Sequence, residues 1–374
     1  MSNFSVILGT RPEVIKLAPV VHAARARGHR VRLITTGQHR DLTYPLLKFF
    51  ELKPDIDLDV MSAAQELSQV SERILSGLNL HSKDLEDSGV IFIQGDTITA
   101  LIGAVWGFFN RIPVAHVEAG LRTHDLNAPF PEEANRQLIS RIACFHFAPT
   151  VQAAMALQME NVKLDDIFTV GNTSIDALKW ALNHLGEQKL TEIQEIPLRV
   201  AQFAQEGRYI MVTAHRRESF GVGFDGICDG ILGLIERVPD LRVIYPVHPN
   251  PQAKNAAERR LGSQSRILLC DPLPYVGFLA LLKSAHVILT DSGGVQEEAP
   301  SLRIPILVLR EKTERLEGVE AGFSKLVGTH SSRIIEATLS ALNEEMTLKG
   351  ENPYGDGQSA ARMIKLVEER IYAN

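Results

Sequence analysis

The chain has 374 residues, more than the roughly 250 to 300 over which one hydrophobic core keeps growing, so we expect two domains. Its 45% hydrophobic and 22% charged residues are typical of globular proteins, and the net charge of -6 argues against nucleic-acid binding. The sequence has neither a signal-peptide pattern nor an apolar run approaching ~18 residues, and its cysteines lie far apart. We therefore expect a cytoplasmic protein with reduced thiols and no membrane partner.

Short apolar runs rich in β-branched residues alternate with longer helix-compatible stretches along the first half of the chain. Continuous apolar runs indicate strands buried on both faces, and their alternation with helices predicts parallel βαβ units. The predicted strands cover residues 4–8, 31–35, 90–94, 113–117, 144–148 and 167–170. The first domain, residues 1–170, is therefore predicted to be α/β with a parallel sheet.

The second half repeats this pattern, with predicted strands at residues 209–213, 241–246, 267–270, 287–290 and 304–309. We assign residues 171–358 to the second domain, because the stretch between the two series is polar and helix-rich. An amphipathic helix is predicted over residues 359–374, and we expect it to pack back on the first domain. In open α/β sheets ligands bind at the carboxyl ends of the strands, so the candidate sites are sought there.

A basic helix start follows the first predicted strand. Arg11 and Lys16 bring two positive charges to this end, just after Gly9. Backbone N–H groups and the helix dipole at such an N-terminus favour a bound phosphate. A solvated basic helix start is the alternative interpretation of these residues.

Three acids follow neighbouring predicted strands or lie in the loop after them: Asp96, Glu118 and Glu132. Parallel strand ends meet at one edge of a sheet, so we expect these carboxylates to share a cleft, where they suit proton transfer. Helix N-terminal acids and surface charge are the alternative for each one singly. We expect no metal, because magnesium usually meets a phosphate through carboxylates, whereas arginine and lysine are placed to do so here.

The second half contributes a histidine and a glycine turn. His215 and Arg216 follow a predicted strand. The histidine can protonate a leaving phosphate, and the arginine can stabilise its developing negative charge. Ser292, Gly293 and Gly294 lie between a strand and a helix, which is typical of a phosphate-binding turn, and Glu298 is placed to accept from ribose hydroxyls. A capped helix start is the alternative for this turn. His248 is more ambiguous, because the prolines and the asparagine around it already indicate a turn.

Taken in order, these strings resemble the motifs of the non-hydrolysing UDP-N-acetylglucosamine 2-epimerases. They are GTRPEVIK at 9–16, QGDTIT at 94–99, HVEAGLRT at 116–123, PEEANR at 131–136, TAHRRESFG at 213–221, PVHPNP at 246–251 and DSGGVQEEAPSLRIPILVLR at 291–310. The resemblance implies two Rossmann-like domains in the glycosyltransferase-B arrangement, with an active site in the cleft between them. It also implies a homodimer that needs no cofactor and no metal.

The activity that the resemblance implies is the reversible inversion of C2 between UDP-N-acetylglucosamine and UDP-N-acetylmannosamine. UDP leaves by anti elimination to give 2-acetamidoglucal and returns by syn addition, and the product supplies ManNAc-type sugars for cell-surface polysaccharide. By the same resemblance the site residues fall into two groups. Catalytic positions match Asp96, Glu118, Glu132 and His215; substrate-binding positions match Arg11, Lys16, Arg216, Phe278, Ser292, Gly293, Gly294, Glu298 and Arg315.

Some positions depart from the family pattern, and two alternatives stay open. Gln94 stands where the family usually has histidine. Gln38 and His248 match a second nucleotide-sugar site of some relatives, but Asp41 and Ala64 replace a glutamine and an arginine there. We therefore expect weak or absent activation by UDP-GlcNAc, unless Arg40 or Arg73 supplies the charge. The alternatives are a hydrolysing epimerase that releases ManNAc and UDP, and a glycosyltransferase of the same fold.

Overall fold

The computed structural model describes residues 2–38, 40–61, 65–214, 222–343 and 350–372. The chain divides into two compact units, here called unit 1 (Met1–Ala177 with Tyr354–Asn374) and unit 2 (Leu178–Pro353). One helix, α8 (Thr173–Leu185), runs through the division between them.

Unit 1 is built on a parallel sheet with the order β3-β2-β1-β4-β5-β6-β7. Its strands are β1 Asn3–Leu8, β2 Arg30–Thr35, β3 Ile56–Asp57, β4 Val90–Gln94, β5 Val114–Val117, β6 Phe145–Ala148 and β7 Ile167–Thr169. Its other helices are α1 Arg11–Ala26, α2 Arg40–Phe49, α3 Leu67–Leu80, α4 Ser82–Leu85, α5 Ile98–Phe109, α6 Glu132–Ile142 and α7 Val151–Met159, with a 3-10 turn at Leu164–Asp166.

The order in which the chain adds strands to this sheet reverses between β1 and β4. β1 pairs with β2 on one side and with β4 on the other, and the chain moves outward from this point in both directions. The central strands are rich in fully buried apolar residues, such as Ile7, Ile91 and Ile93, because helices cover both faces of a parallel sheet. A ligand site is expected at such a switch point, beyond the carboxyl ends of β1 and β4.

Unit 2 repeats the plan with the sheet order β10-β9-β8-β11-β12-β13, again parallel throughout the described residues. Its strands are β8 Arg208–Thr213, β9 Leu241–Pro246, β10 Ile267–Cys270, β11 Val287–Thr290, β12 Ile306–Val308 and β13 Ser324–Leu326. Its helices are α9 Leu198–Gln205, α10 Val222–Arg237, α11 Pro251–Leu261, α12 Tyr275–Ser284, α13 Gly293–Leu302, α14 Leu316–Glu320 and α15 Ser331–Asn343, with a 3-10 turn at Leu190–Glu192. The switch point lies between β8 and β11.

The last helix, α16 (Ser359–Tyr372), returns to unit 1 and packs against α1. Glu368 accepts hydrogen bonds from Arg27 Nε at 2.9 Å and pairs with His29 Nε2 at 2.7 Å. The Arg27 hydrogen bond, with His29 beside it, lowers the pKa of Glu368 to about 2. At the other end of α16, Asp176 accepts the backbone N–H of Ala360 at 2.9 Å.

The predicted fold class, with two α/β units built on parallel sheets, is confirmed. Neither edge strand, β3 nor β13, was predicted, because runs of two and three residues carry no detectable apolar pattern. No helix in the described ranges combines the length and the apolar composition that a membrane crossing needs.

Candidate active site

Glu118 lies directly after β5 and is held from several sides. Its backbone has φ +64°, a left-handed conformation that costs a non-glycine residue about 1 kcal/mol or more. Lys16 of α1 donates to Oε1, and Gln94, the last residue of β4, donates to Oε2. The Asn172 amide donates to Oε1 at 3.3 Å. The buried side chain of Glu118 therefore has a cation and two amide donors around its two oxygens.

Asp96 lies in the turn after β4, where Gly95 has φ +70°. Arg136 of α6 donates to Oδ2 of Asp96 through Nε at 2.8 Å, and Asn135 donates to its backbone carbonyl at 2.7 Å. Two consecutive residues of α6 thus hold this turn at the sheet switch point. The carboxylate is paired with a cation, as Glu118 is, but from a different helix.

His116 supports the same turn from inside the sheet. Its Nε2 donates to the Gly95 carbonyl at 2.7 Å, which places the proton on that nitrogen. Burial lowers the pKa of His116 to about 3, so the ring is neutral at physiological pH. His116 therefore acts on the turn that carries Asp96 as a neutral donor.

Glu132 and Glu133 begin α6 and face different surroundings. Glu133 is fully buried and accepts the backbone N–H groups of Thr123 at 3.0 Å and His124 at 3.2 Å. Glu132 is half-buried, and no residue of the described ranges hydrogen-bonds to its side chain. Of the two acids, Glu132 is the one placed to meet a ligand, and Glu133 shapes the loop before it.

The first turn of α1 is closed by its own glutamate. Glu13 is fully buried and accepts the N–H groups of Gly9 at 2.9 Å and Thr10 at 2.7 Å. It also accepts from Thr97 Oγ1 at 2.6 Å, which joins the turn after β1 to the helix after β4. Burial raises the pKa of Glu13, and these hydrogen bonds oppose the rise. Two backbone N–H groups just before this helix, those of Gly9 and Thr10, are thus used within the chain.

The cations of α1 consequently differ in their surroundings. Lys16 pairs with Glu118, whereas Arg11, the first residue of the helix, forms no ion pair within the described residues. Arg11 is half-buried and is the cation that stays available to an anion at this helix end. Glu13 was not among the predicted site residues, although Thr10 and Glu13 match the capping-box pattern.

The glycine turn of unit 2 has the features of an anion site. Ser292 is the N-cap of α13, and its side chain makes no capping hydrogen bond. A Cβ on Gly293 would lie 3.0 Å from Arg315 Cζ, whereas a Cβ on Gly294 would meet nothing within 4 Å in the part of the chain that the structure describes. Arg315 is held there by Glu297 through an Nε hydrogen bond of 3.0 Å. A cation, open space and a helix N-terminus therefore coincide at this turn.

The remaining predicted residues of unit 2 lie on α12, on α13 and after β9. Glu298 is buried, and Tyr275 Oη donates to its Oε1 at 3.3 Å. Phe278 is half-buried on α12. His248 is exposed, and its Nδ1 accepts the N–H of Asn250 at 3.2 Å. His215 and Arg216 lie outside the described residues, as does Ala64.

The predicted second-site residues of unit 1 are engaged in hydrogen bonds. Thr99 Oγ1 donates to Gln38 Oε1 at 3.1 Å. Arg40 donates to Asp59 Oδ1 at 2.8 Å and also pairs with Asp57. Arg73 donates to the Val60 carbonyl at 3.2 Å. The charge of Arg40 is thus balanced by two aspartates.

Unit 1 has carboxylates held near cations, and unit 2 has a glycine turn at a helix N-terminus with a cation beside it. Proton transfer suits the first, and binding of a phosphate or diphosphate suits the second. Across the described ranges, no three histidine, cysteine, aspartate or glutamate side chains are grouped so that they could hold a metal ion.

Comparison with known proteins identifies the family. The sequence profile described as UDP-N-acetylglucosamine 2-epimerase matches residues 22–368. A UDP-N-acetylglucosamine 2-epimerase of Yersinia pestis is 43% identical over 368 residues, which cover 97% of each chain. The crystal structure of the UDP-GlcNAc 2-epimerase of Neisseria meningitidis bound to UDP-GlcNAc has a TM-score of 0.85 and 36% identity, over 100% of both chains. The Methanocaldococcus jannaschii UDP-GlcNAc 2-epimerase in complex with UDP-GlcNAc and UDP has a TM-score of 0.80 and 34% identity, over 98% of this chain and 99% of that one. A profile match over nearly the whole chain, with relatives of this identity, shows that the chain belongs to the UDP-N-acetylglucosamine 2-epimerase family.

Proposed function

We propose that the chain is a non-hydrolysing UDP-N-acetylglucosamine 2-epimerase that interconverts UDP-GlcNAc and UDP-ManNAc. The observation that carries the proposal is the set of acids beyond the sheet of unit 1. Asp96 and Glu118 follow neighbouring strands, each beside a cation, and Glu132 is open to a ligand. The names of the relatives, and the UDP-GlcNAc bound to the Neisseria meningitidis protein, support the choice of substrate.

The proposed reaction needs more than one proton-transfer group. A carboxylate removes the C2 proton, the electron pair forms the C1–C2 double bond, and the bond from C1 to the diphosphate oxygen breaks. Return of a proton to the opposite face of C2, with re-formation of the bond to UDP, gives the inverted sugar. Asp96, Glu118 and Glu132 are proposed to serve these steps together with His215. The reaction is redox-neutral overall, so it needs no hydride carrier.

UDP is proposed to bind at the glycine turn of unit 2. Ser292, Gly293 and Gly294 would meet the diphosphate with Arg315, and Glu298 would accept from the ribose. The open space beside Gly294 and the packing of Arg315 against Gly293 support this assignment. Phe278 and Arg216 are proposed contacts of the nucleotide, and Arg11 and Lys16 bring positive charge to the leaving diphosphate.

Products at early times test the non-hydrolysing assignment. Purified protein incubated with UDP-GlcNAc alone should yield UDP-ManNAc, resolved by anion-exchange chromatography, before free sugar accumulates. Mainly free N-acetylmannosamine and UDP at early times would show a hydrolysing enzyme instead. Release of UDP only after addition of a sugar acceptor would indicate a glycosyltransferase.

We further propose a homodimer that works in the cytoplasm and supplies ManNAc-type sugars for cell-surface polysaccharide. The family resemblance supports this assignment. Light scattering at micromolar concentration should give twice the chain mass of 41.3 kDa, and a mass of one chain would contradict it.

A further inference from the structure

The two oxygens of the Glu118 carboxylate have different partners. Lys16 and Asn172 both donate to Oε1, and Gln94 donates to Oε2. Gln94 is buried at the end of β4, next to β5 in the sheet, with Gln94 in register with Val117. Its amide therefore approaches Glu118 from the rigid sheet, whereas the lysine approaches from a helix on a long flexible side chain.

This difference matters when substrate binds. A diphosphate attracts Lys16, whose ammonium group can exchange one anionic partner for another. Oε1 would then lose its charged donor, while the sheet-borne amide keeps Oε2 in place. The backbone of Glu118 is left-handed, so side-chain contacts rather than relaxed local geometry hold this residue in position.

We propose that Gln94 is a positioning residue for Glu118: its amide anchors Oε2 and leaves Oε1 to exchange a proton with the substrate. When C2 gives its proton to Oε1, an O–H bond forms there and the electron pair of the C–H bond moves into the C1–C2 double bond. Oε2 then becomes the carbonyl oxygen of a neutral carboxyl, which still accepts from Gln94. A carboxamide suits this task because it neither gains nor loses a proton near neutral pH. The inference rests on the proposed function of Glu118.

Substitution of Gln94 tests the role. Gln94→Met keeps an unbranched side chain of similar length and removes the donor, Gln94→Leu does the same if the first variant fails to fold, and Gln94→His restores an N–H donor. We expect kcat to fall roughly 10- to 100-fold in the donor-free variants, with KM and the Kd for UDP changed less than about threefold. Gln94→His should recover most of the lost kcat.

A matched control lies on the helices of unit 1, away from the strand ends that carry Glu118. Asn79 Oδ1 accepts from Trp106 Nε1 at 3.0 Å, near the C-terminal ends of α3 and α5. Asn79→Leu also removes an amide hydrogen bond from unit 1, but away from the strand ends that carry Glu118, so its kcat should not change. An equal loss in this variant would show that kcat reports stability rather than positioning.

A crystal structure of Gln94→Met separates this inference from the proposed function. We expect Oε2 of Glu118 to leave its present position while Lys16 and Asn172 still reach Oε1, whatever reaction the chain catalyses. An unmoved carboxylate, a kcat within about twofold of the unsubstituted chain, or equal values for Gln94→Met and Gln94→His would overturn the positioning role. Failure of the unsubstituted chain to epimerise would contradict the proposed function but not the crystallographic result.

Discussion

At the scale of single residues, the candidate acids are distinguished by what holds them. Glu118 has Lys16 and two amides, Asp96 has Arg136, and Glu132 has no hydrogen-bond partner within the described residues. A residue that meets the substrate must be free to change partners, whereas one that shapes the site is held on all sides. Glu13 and Glu133, both fully buried among backbone N–H groups, are of the second kind.

Neutralising each proposed catalytic acid should abolish proton transfer without loss of the nucleotide site. Asp96→Asn, Glu118→Gln and Glu132→Gln should each lower kcat by ~10² or more, while UDP binding measured by calorimetry persists. Asp84→Asn, which changes an exposed acid of α4, is the control and should keep full turnover. Normal turnover in any folded variant would remove that residue from the mechanism.

The glycine turn allows stability and binding to be separated. Gly294 lies in the first turn of α13, and a Cβ there meets no atom of the described residues within 4 Å. Gly294→Ala should therefore keep or slightly raise Tm, because alanine favours a helix over glycine by up to about 1 kcal/mol. The added methyl group should still raise the Kd for UDP by roughly tenfold or more if the diphosphate occupies that space. Unchanged UDP affinity in calorimetry would contradict the site.

At the scale of elements, the first and last residues of a strand could be predicted where the strand is a continuous apolar run. β4, β9, β10 and β11 have the predicted ends, and α16 begins at the predicted residue, because each is a continuous or periodic apolar pattern bounded by turn residues. The short edge strands β3 and β13 form by pairing with a neighbour, which no local pattern reveals.

The positions of two candidate acids in the fold could be predicted from the sequence, but their hydrogen-bond partners could not. Strand ends indicated where Asp96 and Glu118 lie, whereas Arg136 and Asn172 reach them from helix and loop positions distant in sequence. The predicted phosphate site at the start of α1 rested on a general property of helix N-termini. Glu13 accepts the N–H groups of Gly9 and Thr10 just before this helix, which only the capping-box spacing would have indicated. The phosphate site itself stays a prediction.

The docking of α16 on α1 should weaken in acid. Hydrogen bonding to Arg27 holds the pKa of Glu368 at about 2, below its usual range, so this carboxylate stabilises the folded state above the unfolded pKa. The contribution is lost as pH falls toward 2. Urea unfolding should therefore show Glu368→Gln less stable than the unsubstituted chain at pH 7, with a smaller difference at pH 3. A difference that does not change with pH would contradict this account.

At the scale of the whole molecule, regulation by a second nucleotide-sugar is expected to be weak or absent. The alternative was that Arg40 or Arg73 replaces the missing charge, but Asp57 and Asp59 pair with Arg40, and Arg73 donates to a backbone carbonyl. Assays that start from UDP-ManNAc alone should proceed without a lag. A lag that trace UDP-GlcNAc abolishes, or a crystal with two nucleotide-sugars per subunit, would show the opposite.

In the proposed reaction, C2 is inverted through loss and return of a proton. Incubation with UDP-GlcNAc in D2O, without acceptor, cofactor or added metal, measures this step by NMR of the sugar. We predict deuterium at C2 of UDP-ManNAc from its first appearance, together with slower labelling of the remaining UDP-GlcNAc. A manno product that keeps protium at C2 would contradict the account.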